Sequence, residues 1–368
     1  MESRTCGMQI TIPYANLFQE YTEAKTSVDA AIKRCIDNSS FIGGAEVENF
    51  ETRWKQYTHS KDCAGVSSGT SALMLALLAI GIKPGDEVVV PSMSFISTAE
   101  CVSQIGAVPC FVDIDQYYTM DLDKIKPAIT DKTRAIIFVD LYGQTIDISG
   151  LRSLAPGIPL IQDAAQSAGC QYQGHPIGSQ ADLTCFSFYP GKNLGAMGDA
   201  GAVTGGQELI AKIKMLRDHG RREKYLHEIV GWNERLDSMQ AAILSAKFDF
   251  LDAWNQRRVD HAHRYMELLK HCDQIELPRS NPVSSHVYNQ FVIRTDRRDD
   301  LHAFLLSQGI QAGIQFPRAM HQQPVYQTSM SLPNSERLSA GCISLPVHAQ
   351  LQSGDIDQVA RAVLDFFN

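Results

Sequence analysis

Glu87-Val88-Val89-Val90, closed by Pro91, then a helical stretch near Ser97 to Gln104, then Pro109-Cys110-Phe111-Val112 ending at Asp113: this passage decides the fold. Both strand-like runs are short and apolar, with no polar alternation, as in strands covered on both faces. The rhythm continues in each direction. Upstream, Gly69-Thr70 opens an apolar helix from Ser71 to Ile80. Downstream, Ala135-Ile136-Ile137-Phe138-Val139, Pro159-Leu160-Ile161, Thr184-Cys185-Phe186-Ser187-Phe188 and Gly201-Ala202-Val203-Thr204 repeat the strand signal. Strands alternating with helices predict an α/β fold with a mostly parallel sheet and helices on both faces.

Beyond residue 206 the pattern changes. Gln207 to His219 reads as a helix ended by Gly220. A long helical segment is expected from Ser238 to about Lys270, with Met239, Ile243, Ala246, Phe250, Leu251 and Trp254 spaced three or four apart. The remainder mixes a strand (Asn289 to Ile293) with helices (Asp299 to Gln308, Asp355 to Phe367) and reads as a smaller α+β domain. The expected division is 1–250 for the large domain and 251–368 for the small one.

Composition narrows the class. The chain has 368 residues, 44% of them apolar and 20% charged, with a formal charge of −8. Those fractions describe an ordinary globular protein with a sizeable core and exclude a mainly disordered or collagen-like one. The negative balance argues against a nucleic-acid-coating protein, which needs a basic face, but not against a local basic pocket for a small anion. Met1 to Ile10 does not read as a secretory signal. No run approaches about eighteen uncharged apolar residues, so no membrane span is expected. Nine scattered cysteines, none in a C-x-x-C pair, read as reduced thiols of a cytoplasmic protein with no structural metal.

Three features carry chemistry, each at the end of an expected strand, where open α/β sheets place ligands. Ser68-Gly69-Thr70-Ser71 precedes a helix whose first-turn amides favour an anion such as phosphate; a plain N-cap by Thr70 or Ser71 is the alternative. Gln162-Asp163-Ala164-Ala165-Gln166 puts a carboxylate directly after a buried strand, where it needs a cation, such as a protonated pyridine nitrogen, or solvent. Its alternative is also an N-cap. Ser187-Phe188-Tyr189-Pro190-Gly191-Lys192 presents a lysine on an irregular turn. A partly desolvated lysine there becomes a nucleophilic amine, and an exposed lysine in a turn is the alternative. The surrounding glycines match neither a P-loop nor the dinucleotide fingerprint.

In this order and spacing the three features resemble the DegT/DnrJ/EryC1/StrS sugar aminotransferases. The resemblance adds Phe41-Ile42-Gly43-Gly44, Gly85-Asp86-Glu87, Gly198 to Gly201 and Gly231-Trp232-Asn233-Glu234-Arg235-Leu236-Asp237. It implies a fold-type I enzyme dependent on pyridoxal 5'-phosphate (PLP). Lys192 would hold PLP as a Schiff base and Asp163 would keep the pyridine nitrogen protonated. Gln166 would bond the ring hydroxyl and Phe95 would stack on the ring, core packing being the bland reading of Phe95. Gly69, Thr70, Ser71 and Ser187 would hold the phosphate, helped by Asn233 from a second subunit of a homodimer. An amino group would pass from L-glutamate to a nucleotide-linked keto-sugar. The run Tyr189 to Gly201 resembles the 3-keto branch, with a dTDP-3-keto-6-deoxyhexose as first expectation. Alternatives are a 4-keto or UDP- or GDP-linked sugar, or a PLP-binding protein without turnover. Two departures stand out: Asp140 replaces a histidine before Leu141-Tyr142-Gly143, and Gln315-Phe316 replaces His-Tyr. His321 matches the family pattern as a substrate-pocket residue, with a surface position as the alternative.

Overall fold

The computed structural model describes residues 10–326 and 328–368. Cys6 lies outside the described residues, as does all but Ile10 of the Met1 to Ile10 stretch read as no secretory signal.

Seven strands form the central sheet: β1 (Asp62–Val66), β2 (Glu87–Pro91), β3 (Val108–Val112), β4 (Thr133–Val139), β5 (Leu160–Asp163), β6 (Leu183–Ser187) and β7 (Gly201–Gly205), in spatial order β1-β7-β6-β5-β4-β2-β3. β7 pairs antiparallel with β1 and β6, while the pairs among β2 to β6 are parallel. The mostly parallel α/β expectation is therefore met. β1, with its small Asp-Cys-Ala-Gly-Val sequence, was not legible as a strand.

Both faces of the sheet are covered. In β4, Ile136 and Phe138 enter a core shared with Phe50 and Trp54 of α2 (Ala45–Tyr57). Ala135 and Ile137 enter the opposite core, shared with Leu73 and Leu77 of α3 (Gly69–Ile80). This two-residue alternation between two dry faces explains why the strands read as continuous apolar runs. A third core joins Tyr265, Phe291, Leu305, Ile343 and Val359, with Ile12 from the N-terminal stretch, around a strand pair, β8 (Phe291–Arg294) and β9 (Cys342–Leu345).

The expected helix Ser97 to Gln104 is α4. Two other helices differ from expectation. The segment from Gln207 stops at Leu216 (α5), because the Leu216 and Arg217 carbonyls accept from the Trp232 and Glu234 amides instead of continuing the helical ladder. The segment from Ser238 is broken into α6 (Ser238–Lys247) and α7 (Leu251–Leu269) by one tight turn at Phe248–Phe250. The Arg53 guanidinium donates to the Ser245 carbonyl at 2.7 Å, taking the acceptor that a regular helix would offer to the Asp249 amide.

Parallel pairing brings the ends of β2, β4, β5 and β6 to one end of the sheet, and β1, antiparallel to β7 as β6 is, ends there too, with Val66 and Ser187 both opposite Gly201. The loop from β6 to β7 leaves and re-enters the sheet at the same end, so all three chemical motifs meet there.

Candidate active site

Asp163 ends β5 and is 5% exposed. Its carboxylate accepts from the Thr98 hydroxyl at 2.9 Å and the Ala165 amide at 3.2 Å. Burial pushes its pKa up, while those donors and the Lys192 charge oppose the rise. Lys192 stands on the loop between β6 and β7, where its amide donates to the Tyr189 carbonyl at 2.9 Å. The residue is partly buried. Burial pushes the Lys192 pKa down to about 8, and the Asp163 charge works against that fall. Each group thus senses the other's charge. The reading of Lys192 as an ordinary exposed turn lysine does not fit its partial burial. The far side of this loop is pinned by the buried Lys247, whose ammonium donates to the Gly195 carbonyl and pairs with Glu20.

Gln166 is 8% exposed, and its side-chain carbonyl accepts from the Tyr142 amide at 2.6 Å. That bond fixes the amide's orientation and leaves its NH2 end without a partner among the described residues.

At the start of α3 the cap is Ser68, whose hydroxyl accepts from the Ser71 amide at 3.1 Å. The alternative that Thr70 or Ser71 is the cap is corrected: both lie in the first turn. The Gly69 and Thr70 amides have no partner among the described residues. Gly69 lies against Ser187, the last residue of β6; a Cβ on Gly69 would sit 2.7 Å from the Ser187 Cβ. Glycine is what lets the helix start approach this strand end. Thr70 bonds Ser97 at 2.7 Å, and the Glu234 carboxylate accepts from both Ser67 and Ser71.

Phe95 is 59% exposed and 6.4 Å from Phe316, ring to ring, so core packing is excluded for it. Phe316 lies in turn near Tyr142, at 6.5 Å and 21°. Asn233 lines a cavity of about 400 Å³ with Ser67, Asp199, Arg235 and Gln240. Lys192 and Asp163 are not among the residues that line it.

Two residues take unexpected places. His321 is 1% exposed; its Nδ1 bonds Ser92 at 2.5 Å and its Nε2 bonds Glu336 at 3.2 Å. The expectation of a substrate-facing or surface imidazole is corrected: Nδ1 ties the segment after Ala319 to the end of β2, and Nε2 ties it to Glu336 on the helix Pro333–Gly341. Asp140 is fully buried and accepts from Gln162 at 2.8 Å and Ser167 at 2.6 Å. Burial raises its pKa to about 7. Sequence reasoning missed Thr98, Tyr142 and Glu234; only the hydroxyl spacing Ser94-x-x-x-Thr98 offered a local signal.

The arrangement fits a cationic aromatic ring with a phosphate tail. A buried carboxylate and a partly buried lysine stand at the same end of the sheet, and unpartnered helix-start amides lie beside a strand-end hydroxyl. With the mostly parallel sheet, this defines a fold-type I PLP-dependent aminotransferase. The sequence agrees: residues 22–364 match the DegT/DnrJ/EryC1/StrS aminotransferase family, and the chain belongs to that family.

The chain is 40% identical to the dTDP-3-amino-3,4,6-trideoxy-alpha-D-glucose transaminase of Streptomyces venezuelae, over 96% of each chain. It is also 40% identical to the UDP-N-acetyl-3-dehydro-alpha-D-glucosamine 3-aminotransferase of Acidithiobacillus ferrooxidans, over 96% of this chain and 97% of the relative. Its structure superposes on the crystal structure of S. venezuelae DesV in complex with a ketimine intermediate with a TM-score of 0.95, covering 97% of this chain and 98% of that one.

Proposed function

We propose that this aminotransferase moves an amino group from L-glutamate to carbon 3 of a nucleotide-linked 3-keto-sugar. The observation that carries the reading is the placement of Lys192 and Asp163 at the same end of the sheet, each within reach of the other's charge. The position of amination is supported by the two relatives at 40% identity, both named for chemistry at carbon 3. One of them is named for a dTDP-sugar and the other for a UDP-sugar; the resemblance of Tyr189 to Gly201 favours the 3-keto branch, and a dTDP-sugar is the first substrate to test.

PLP, when bound, supplies an electron sink. Lys192 would hold it covalently through Nζ. Once freed, the same Nζ, whose charged form burial disfavours, would take the proton from the donor's α-carbon and later return one. Asp163 would hold a proton on the pyridine nitrogen, and its buried carboxylate gains the cation that it lacks without the ring. Gln166 would orient the ring hydroxyl through its NH2 end, and the exposed face of Phe95 would cover the ring. The Gly69 and Thr70 amides, with the Thr70, Ser71 and Ser187 hydroxyls, would hold the phosphate. Asn233 would complete that grip from the neighbouring subunit of a homodimer. The eight described cysteines are free, as suits a cytoplasmic enzyme.

Purified protein given L-glutamate and a dTDP-3-keto-6-deoxyhexose should release 2-oxoglutarate and an amino-sugar nucleotide. Absence of product across dTDP- and UDP-linked 3-keto and 4-keto sugars would refute the reading.

A further inference from the structure

Directly after Lys192 stands Asn193, which is 2% exposed and makes three side-chain hydrogen bonds. Its amide nitrogen donates to the Val287 carbonyl at 3.1 Å and to the Asn255 side-chain oxygen at 2.6 Å. Its oxygen accepts from the Asn289 side chain at 2.8 Å. Asn255, on α7, passes the chain on by donating to the Ala168 carbonyl at 2.9 Å. The backbone carbonyls at Val287 and Ala168 can only accept. They therefore fix which end of each amide is nitrogen, and the relay has one polarity: Asn289 to Asn193 to Asn255 to Ala168. Asn255 and Asn289 are 7% and 8% exposed, so water does not offer an easy substitute partner.

The relay's ends are informative. Ala168 lies two residues past Gln166, on the turn that begins at Asp163. Asn289 lies just before β8, in the part of the chain that builds the third core. Gly169 has φ +87°, and a Cβ there would sit 2.3 Å from the Asn255 amide nitrogen, so the turn is closed tightly onto the relay.

We infer that Asn193, Asn255 and Asn289 are positioning residues that set where the Lys192 amine stands relative to the Asp163–Gln166 turn; this rests on the role of Lys192 proposed above. None of the three touches the reacting atoms. They remove the freedom of the lysine's backbone, and a reacting amine misplaced by an ångström costs rate steeply.

The test uses Asn255→Leu and Asn289→Leu, neutral and close in volume, and Gly169→Ala, which pushes on Asn255 from the far end. Each is loaded with PLP. Three quantities are measured: the pH titration of the lysine-linked visible absorbance, kcat with KM for glutamate, and the thermal midpoint. The relay predicts a titration midpoint moved by about half a unit or more. It also predicts kcat lowered about tenfold or more at nearly unchanged KM. A titration and kcat that stay at wild-type values in the variants that fold, whether or not the thermal midpoint falls, would overturn the relay alone. A wild-type chain with no lysine-linked absorbance would overturn the role of Lys192 and the relay with it. Should Asn255→Leu not fold, Asn289→Leu and Gly169→Ala decide the matter by the same readings.

Discussion

At the scale of single residues, the chemistry depends on two groups whose burial disfavours their charged forms. Lys192 loses its proton at about pH 8, against about 10.4 for a free lysine. Burial is the larger cause, and the Asp163 carboxylate holds the value up. In the cofactor-free protein, pulse acetylation read by mass spectrometry should therefore give half-maximal labelling of Lys192 near pH 8, well below the surface lysines. In Asp163→Asn the midpoint should fall further, because the opposing charge is gone; a rise would contradict the pairing. Thr98→Val keeps the shape but removes a donor that favours the ionised Asp163 carboxylate. Its pKa should rise, and the acid limb of the kcat/KM profile should move to higher pH. An unmoved limb would separate Thr98 from the site.

At the scale of elements, the start of α3 and the end of β6 touch through Gly69 and Ser187. Gly69→Ala must push them apart, since its Cβ would lie 2.7 Å from the Ser187 Cβ, at a cost of about 1–3 kcal/mol. The fold should survive by circular dichroism while the PLP dissociation constant rises about tenfold, equivalent to ~1.4 kcal/mol; unchanged affinity would remove this contact from the phosphate site. Elements whose signals are local were legible in the sequence. The buried strands declare themselves by apolar runs, and the Gly-Thr-Ser, Asp163 and Lys192 motifs are short and sit at strand ends. What was not legible depends on distant partners. Arg53 breaks a helix 192 residues away by bonding Ser245. Thr98 reaches Asp163 across 65 residues. His321 fits the family pattern yet is buried between Ser92 and Glu336. The relay amides are ordinary asparagines until the fold aligns them.

At the scale of the whole molecule, the cores on the two faces of the sheet hold the site edge rigid. The third core, with Ile12 and the segments from Ala262 onward, stands apart from them. Asn233 lines a cavity with Ser67, Asp199 and Arg235, and the proposed function has it serve a neighbouring subunit. Lys192→Ala and Asn233→Ala chains should then each be impaired alone and regain activity when mixed and reassembled, because one site of the mixed dimer has both residues intact. No recovery, with subunit exchange verified by mass, would place Asn233 outside the neighbour's site. The most direct test of the central claim is borohydride reduction of the PLP-loaded protein followed by peptide mass spectrometry. The phosphopyridoxyl mass should appear on Lys192, and Lys192→Ala should carry none. A label on another lysine, or none on the wild-type chain, would contradict the account.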